Sequence, residues 1–139
     1  MAQTSPILAI DPGRYKCGLA VLARDAAVLE RRVVRLAELG AAVRELAGRY
    51  GFSEVALGNR TGAEGVATAL RATLPQARVT LMDEHHTTEL ARTRYFQAHP
   101  PRGWRRLIPL GLQTPPESID DWAAVVLGER YLADGRMGE

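Results

Sequence analysis

The chain opens with two nearly unbroken apolar runs, residues 7–10 and 17–23, separated by a turn at Pro12-Gly13. A third run follows the Arg24-Asp25 turn, so residues 6–11, 17–23 and 27–34 are expected to form three consecutive strands. The period then changes. Leu36, Leu39, Val43, Leu46 and Tyr50 recur at steps of three and four, which predicts a one-faced amphipathic helix over 36–50. A short buried strand at 54–58 comes next, and helical spacing resumes from Gly62 to Leu74, where Pro75 ends it. A strand at 78–84, a helix from Thr87 to Ala98 and a last helix from Ser118 to Leu132 complete the pattern. Residues 99–117 carry five prolines and two glycines, which marks a long loop of the kind that usually has a function in a compact domain.

The order βββαβαβα predicts an α/β fold in a single domain, residues 1–139. Its mixed five-stranded sheet, three antiparallel strands plus two parallel ones, would be flanked by helices. In sheets of this kind ligands gather at the carboxyl ends of the parallel strands. Asp11 stands at such an end, closing an apolar run where a valine would cost nothing. Either its carboxylate hydrogen-bonds the turn that it opens, or the charge is kept for chemistry, and the residue alone supports both readings.

Two more acidic pairs fall where they would converge with it: Asp83-Glu84 after the fifth strand, and Asp120-Asp121 at the start of the last helix. Local roles exist for these too. Asp121 lies three residues after Ser118, as in a capping box, and Asp83-Glu84 would suit the cap of the next helix. Together, however, the acids fit phosphodiester hydrolysis, in which two Mg²⁺ or Mn²⁺ ions roughly 3.5–4 Å apart clamp the attacking and leaving oxygens. Hard cations of this type take oxygen ligands and leave room for water and phosphate. No His/Cys set is spaced for zinc.

Composition narrows the partners. The 139 residues are 46% hydrophobic and 24% charged, enough for one buried core. The net charge is only +2, yet Lys16 is the sole lysine, so the basic side is almost entirely arginine. Arginine pairs with phosphate through two bonds where lysine offers a point charge, although a GC-rich genome would give the same excess. One cysteine, Cys17, excludes an internal disulfide and a cysteine-based metal site. No apolar run is long enough for a membrane span or a secretory signal, so a cytoplasmic protein without a membrane partner is expected. From Arg92 to Arg106 there are five arginines with Tyr95, His99 and Trp104 between them and no acid. Arg92, Arg102, Trp104, Arg105 and Arg106 are therefore candidates for binding a nucleic-acid backbone and stacking on unpaired bases.

Three motifs in order carry a resemblance that covers nearly the whole chain. Asp11, Gly13, Gly18, Ala20 and Val21 form the first, "DEHHTTELA" at 83–91 the second, and Asp120, Ala123 and Ala124 the third. In these the chain resembles the YqgF/RuvX family, small RNase H-like proteins named as Holliday-junction resolvases and pre-16S rRNA nucleases. His85 stands where that family has arginine, and "LGNRTGAEG" at 57–65 replaces its Val-Gly-x-Pro segment. Gly58 also occupies a position where the more distant RuvC-type resolvases carry their second acid.

The resemblance implies an RNase H-like fold and a divalent-metal-dependent nuclease acting on structured nucleic acid. Asp11, Glu84 and Asp120 would serve as catalytic metal ligands for Mg²⁺ or Mn²⁺, with two ions expected, and cleavage would leave 5′-phosphate and 3′-hydroxyl ends. RNA is the favoured partner, in 5′-end maturation of pre-16S rRNA, with the chain acting as a monomer or homodimer. The alternatives are a Holliday junction resolvase acting on four-way DNA, or an RNase H-like module that binds nucleic acid without cutting it.

Overall fold

The computed structural model describes residues 5–60, 62–83, 87–100, 107 and 120–137. Strands β1 (Ile7–Asp11), β2 (Lys16–Leu22) and β3 (Val28–Arg35) are followed by a single 3-10 turn (Leu36–Glu38) and helix α1 (Leu39–Tyr50). Strand β4 (Glu54–Gly58), helix α2 (Ala63–Thr73), strand β5 (Arg78–Met82), helix α3 (Thr87–Ala98) and helix α4 (Asp120–Met137) complete the order. The sheet runs β3-β2-β1-β4-β5. Pairs β1–β2 and β2–β3 are antiparallel, and β1–β4 and β4–β5 are parallel. This is the mixed five-stranded sheet that the hydrophobic pattern predicts. Three boundaries differ by more than one residue: a 3-10 turn takes up the first residues of the expected helix at 36–50, β5 ends at Met82 and leaves Asp83 outside the strand expected over 78–84, and the last helix runs on to Met137.

Central strands buried on both faces need apolar side chains at every position, and the alternation sorts them by size. Leu8 and Ile10 of β1, with Leu19 and Val21 of β2, pack against Val43 and Leu46 of α1 and Val66 and Leu70 of α2. Ile7, Ala9, Ala20, Leu22 and Ala56 face the other way, onto Ala124, Val125 and Leu132 of α4. The α4 side is thus lined largely by alanines. A β-carbon added at Gly128 of α4 would lie 2.9 Å from Leu22 Cδ1 and 3.1 Å from Ala9 Cβ, so the helix backbone rides almost directly on the sheet. Helix α3 covers the outer side of α4, where Arg94 forms an ion pair with Glu129. That double coverage explains why α4 shows no one-sided apolar stripe.

On the outer side of β3 a charged network ties the strand to α1. Glu30 accepts hydrogen bonds from Tyr50 (2.8 Å) and Arg49 (2.8 Å) and pairs with Arg32, which also bonds Glu45 at 2.7 Å. Burial works against the charged form of Glu30, but the bonds from Tyr50 and Arg32 outweigh it and hold its pKa below the ordinary glutamate range. The Glu45 pKa is lowered chiefly by its hydrogen bond from Arg32.

Depressed carboxylate pKa values contribute stability that is present above the unfolded value, about 4.3 for glutamate, and is lost as pH falls through the folded values. Urea midpoints measured from pH 7 down to pH 3 should therefore drop steepest below about pH 4.3. In a Glu30→Gln/Glu45→Gln double variant that acid limb should be shallower, with the midpoint at neutral pH reduced.

Candidate active site

Alternation along β1 decides where Asp11 points. It shares parity with Ile7 and Ala9, so it faces α4, and it pairs across the ladder with Gly18 of β2. Asp11 is 5% exposed, the single charged residue among the buried ones described. The first turn of α4 lies directly over Gly18. A β-carbon there would fall 1.9 Å from the Asp120 carbonyl oxygen, 2.2 Å from its carbon and 2.8 Å from the Asp121 nitrogen. No side chain other than hydrogen fits, and the contact places Asp120 beside Asp11.

The two acids line one open cleft of about 270 Å³ with the β1–β2 turn, Pro12 to Lys16, and with Arg60 from the β4–α2 loop. Lys16 Nζ lies 3.7 Å from Asp120 Oδ2. Beneath the cleft, burial first and then the negative fields of Asp11 and Asp120 push the Cys17 thiol up, so it is protonated at neutral pH. The cleft therefore holds carboxylates within a ring of cations, and no thiolate nucleophile.

The adjacent acid is held elsewhere. Asp121 forms a 2.8 Å ion pair with Arg31 of β3, and its other oxygen accepts from the Trp122 N–H at 2.9 Å. Arg31 also lies over the Trp122 ring, 4.0 Å from its centre. These contacts fasten the start of α4 to the antiparallel side of the sheet. Ser118, the expected cap partner of Asp121, lies outside the described residues.

Of the other expected site residues, Glu84, Arg102, Trp104, Arg105 and Arg106 also lie outside the described residues, as do His85 and His86. Asp83 is exposed just beyond β5 and does not line the cleft. Its carbonyl accepts from Arg130 of α4 at 3.1 Å. Arg92 is half-buried on α3, away from the cleft lining. Tyr95, expected beside nucleic acid, is instead core: it is 4% exposed, edge-on to Phe96 and stacked on His99. Sequence reasoning missed Arg14, Tyr15, Lys16 and Arg60. Their signal was position, since Arg14, Tyr15 and Arg60 sit in the loops after the carboxyl ends of β1 and β4 and Lys16 opens β2.

Among the described residues no group of three or more His, Cys, Asp or Glu side chains is placed to hold a metal ion. Two carboxylates do converge, and their oxygen donors suit Mg²⁺ or Mn²⁺, which bind through one or two carboxylates with water and substrate phosphate completing the shell.

No family model matches the chain, and no curated protein does. Among solved structures, a Thermus thermophilus RuvC structure superposes with a TM-score of 0.61 at 18% identity, over 96% of this chain and 96% of that one. T. thermophilus RuvC in complex with a Holliday junction substrate gives 0.54 at 22% identity, again over 96% of both chains. The shared fold is the RNase H-like one.

The Gly18 contact is testable by one methyl group. Gly18→Ala must displace the α4 backbone, and overpacking of this kind costs about 1–3 kcal/mol. Gly48→Ala, in an exposed stretch of α1 with nothing within 4 Å of the added carbon, should instead raise stability by about 0.5–1 kcal/mol. Chemical denaturation of both variants checks the opposite signs.

Proposed function

We propose that this chain is a divalent-metal-dependent nuclease that hydrolyses phosphodiester bonds in structured nucleic acid. One observation carries the reading: a buried strand-end carboxylate, Asp11, meets a helix-start carboxylate, Asp120, in an open cleft ringed by cations. A structural core gains nothing from two neighbouring acids, whereas a phosphate-cleaving site requires them.

Asp11 and Asp120 would hold Mg²⁺ or Mn²⁺, and Glu84 is proposed as the further ligand. When bound, such an ion supplies a more acidic water and compensates charge on the phosphoryl oxygens. The chain's own residues set the frame. Gly18 fixes the spacing of the two acids, and Arg31 secures the helix that carries Asp120. Lys16 and Arg60 offset the acidic field, so that an anionic phosphate can enter. Arg102, Arg105 and Arg106, with Trp104, are proposed to carry the flanking strand. The YqgF/RuvX-like motifs favour precursor 16S rRNA as the substrate. The shared fold with RuvC, one of whose structures holds a Holliday junction, makes a four-way DNA junction the second choice.

Single-stranded RNA, duplex RNA and four-way DNA junctions, each incubated with Mg²⁺ or Mn²⁺, form the test panel. Asp11→Asn and Asp120→Asn should each lower cleavage by about 100-fold or more. Both should leave thermal stability unchanged or raised, because a like-charge contact is relieved. Asp121→Asn should keep most cleavage while losing up to about 1 kcal/mol of stability with its Arg31 ion pair. Binding without cleavage of any of these substrates by the unaltered chain would identify a non-cutting module, and full activity in Asp11→Asn would return Asp11 to a turn role.

A further inference from the structure

The β1–β2 turn has a composition that its fold role does not explain. Tight turns favour Gly, Asn, Asp and Pro, yet after Pro12-Gly13 this one presents Arg14, Tyr15 and Lys16, all exposed. Tyr15 is 77% exposed, although it lies on the rim of the cleft that holds Asp11 and Asp120. Its backbone is not loose. The Tyr15 carbonyl accepts a 2.8 Å hydrogen bond from the Leu36 N–H, which ties the turn to the far end of β3. The ring is therefore held out from a fixed backbone at the mouth of the site, with a cation on either side in sequence.

Single exposed aromatics are common and need no explanation. Here two further features bear on this one. Arg14 and Lys16 flank it, both lining the same cleft as the two acids. Arg60 of the β4–α2 loop lines the same cleft and also a second hollow of about 380 Å³ formed with Asn59, Glu64 and Leu81. Cations from both loops thus line the cleft that holds the two acids. An aromatic face set among basic side chains is the arrangement that holds single-stranded nucleic acid: phosphates meet the cations while a base stacks on the ring.

We infer that Tyr15 is a base-stacking platform for an unpaired nucleotide beside the cleaved phosphate, with Arg14 and Arg60 holding the phosphates on either side of it. The inference rests on the nuclease reading of the same cleft and adds its substrate requirement: a nucleotide free to leave its helix next to the scissile bond, as at a loop, an overhang or a branch point. A perfectly paired duplex offers no base to the ring.

Binding without cleavage tests this independently of catalysis. Fluorescence anisotropy in metal-free buffer would compare a labelled hairpin with a single-stranded loop and a blunt duplex of the same length. Tyr15→Ala should weaken hairpin binding roughly 5- to 150-fold, the range for one stacked base, with duplex binding and the salt dependence unaltered. Tyr15→Phe and Tyr15→Trp should bind the hairpin as tightly as the unaltered chain. Arg14→Gln/Arg60→Gln should instead reduce the slope of log affinity against log salt by about 1.4–1.8. A 2-aminopurine in the loop should be quenched by the unaltered chain and not by Tyr15→Ala. Equal hairpin affinity for Tyr15→Ala and the unaltered chain overturns the inference, and if that variant still cleaves, the nuclease reading stands without it. A loss in Tyr15→Ala equal on hairpin and duplex also overturns it, because stacking on an unpaired base predicts a difference.

Discussion

Among the described glycines the tightest contact is the seat of the first turn of α4 on Gly18. Helix and strand meet there backbone to backbone, with no side chain between them. Two carboxylates then become neighbours although they lie more than a hundred residues apart in the chain. Their like charges oppose that meeting, with Lys16, 3.7 Å from Asp120, as a cation beside them. The apolar contacts of α4 with Ala9, Ala20, Ala56 and Leu22 contribute free energy that helps to hold the two like charges together. Small residues on that face of the sheet are what permit it, since larger ones would lift the helix away from Asp11.

The two ends of the sheet are used differently. The antiparallel side is where the site is braced: Arg31 grips Asp121 and Trp122, and the Glu30–Arg32–Glu45–Arg49 network locks β3 to α1. The parallel side contributes Arg60 from beyond β4, and the cleft spans the junction between the two, where β1 has an antiparallel neighbour on one side and a parallel one on the other. Chains that reverse their sheet order in this way leave a crevice beyond the strand ends. In this chain the crevice is floored by acid and rimmed by base.

Much of this was legible in the sequence. The three-strand opening is written in uninterrupted apolar runs, and α1 and α2 in clean steps of three and four, because each has one covered face. The alternation of Leu8 and Ile10 with Ile7 and Ala9 contains the sidedness of Asp11, although it takes the pairing with Gly18 to turn parity into a site. Helix α4 was harder to read. Packed between sheet and α3, its residues Ala123 to Leu127 are all buried, so no period marks its inward face. Tyr95 misled for a related reason: among arginines it resembles a stacking residue, yet with Ala91 four positions earlier it forms the stripe that α3 buries. The basic turn at Arg14–Lys16 escaped notice because turns are commonly polar, and only its place on the rim separates it from an ordinary solvated corner.

Cys17 offers a view of how these parts move. It is the chain's only cysteine, it sits next to Gly18 on the opposite face of β2, and no part of it reaches solvent. A thiol reagent at neutral pH therefore meets a protonated sulfur that becomes reachable only when β2 parts from α1 or the sheet itself opens. The rate of labelling is in effect a clock for that opening, read from a single atom on the face of the sheet opposite the two carboxylates. The chain thus carries its own reporter of that opening without the addition of a probe.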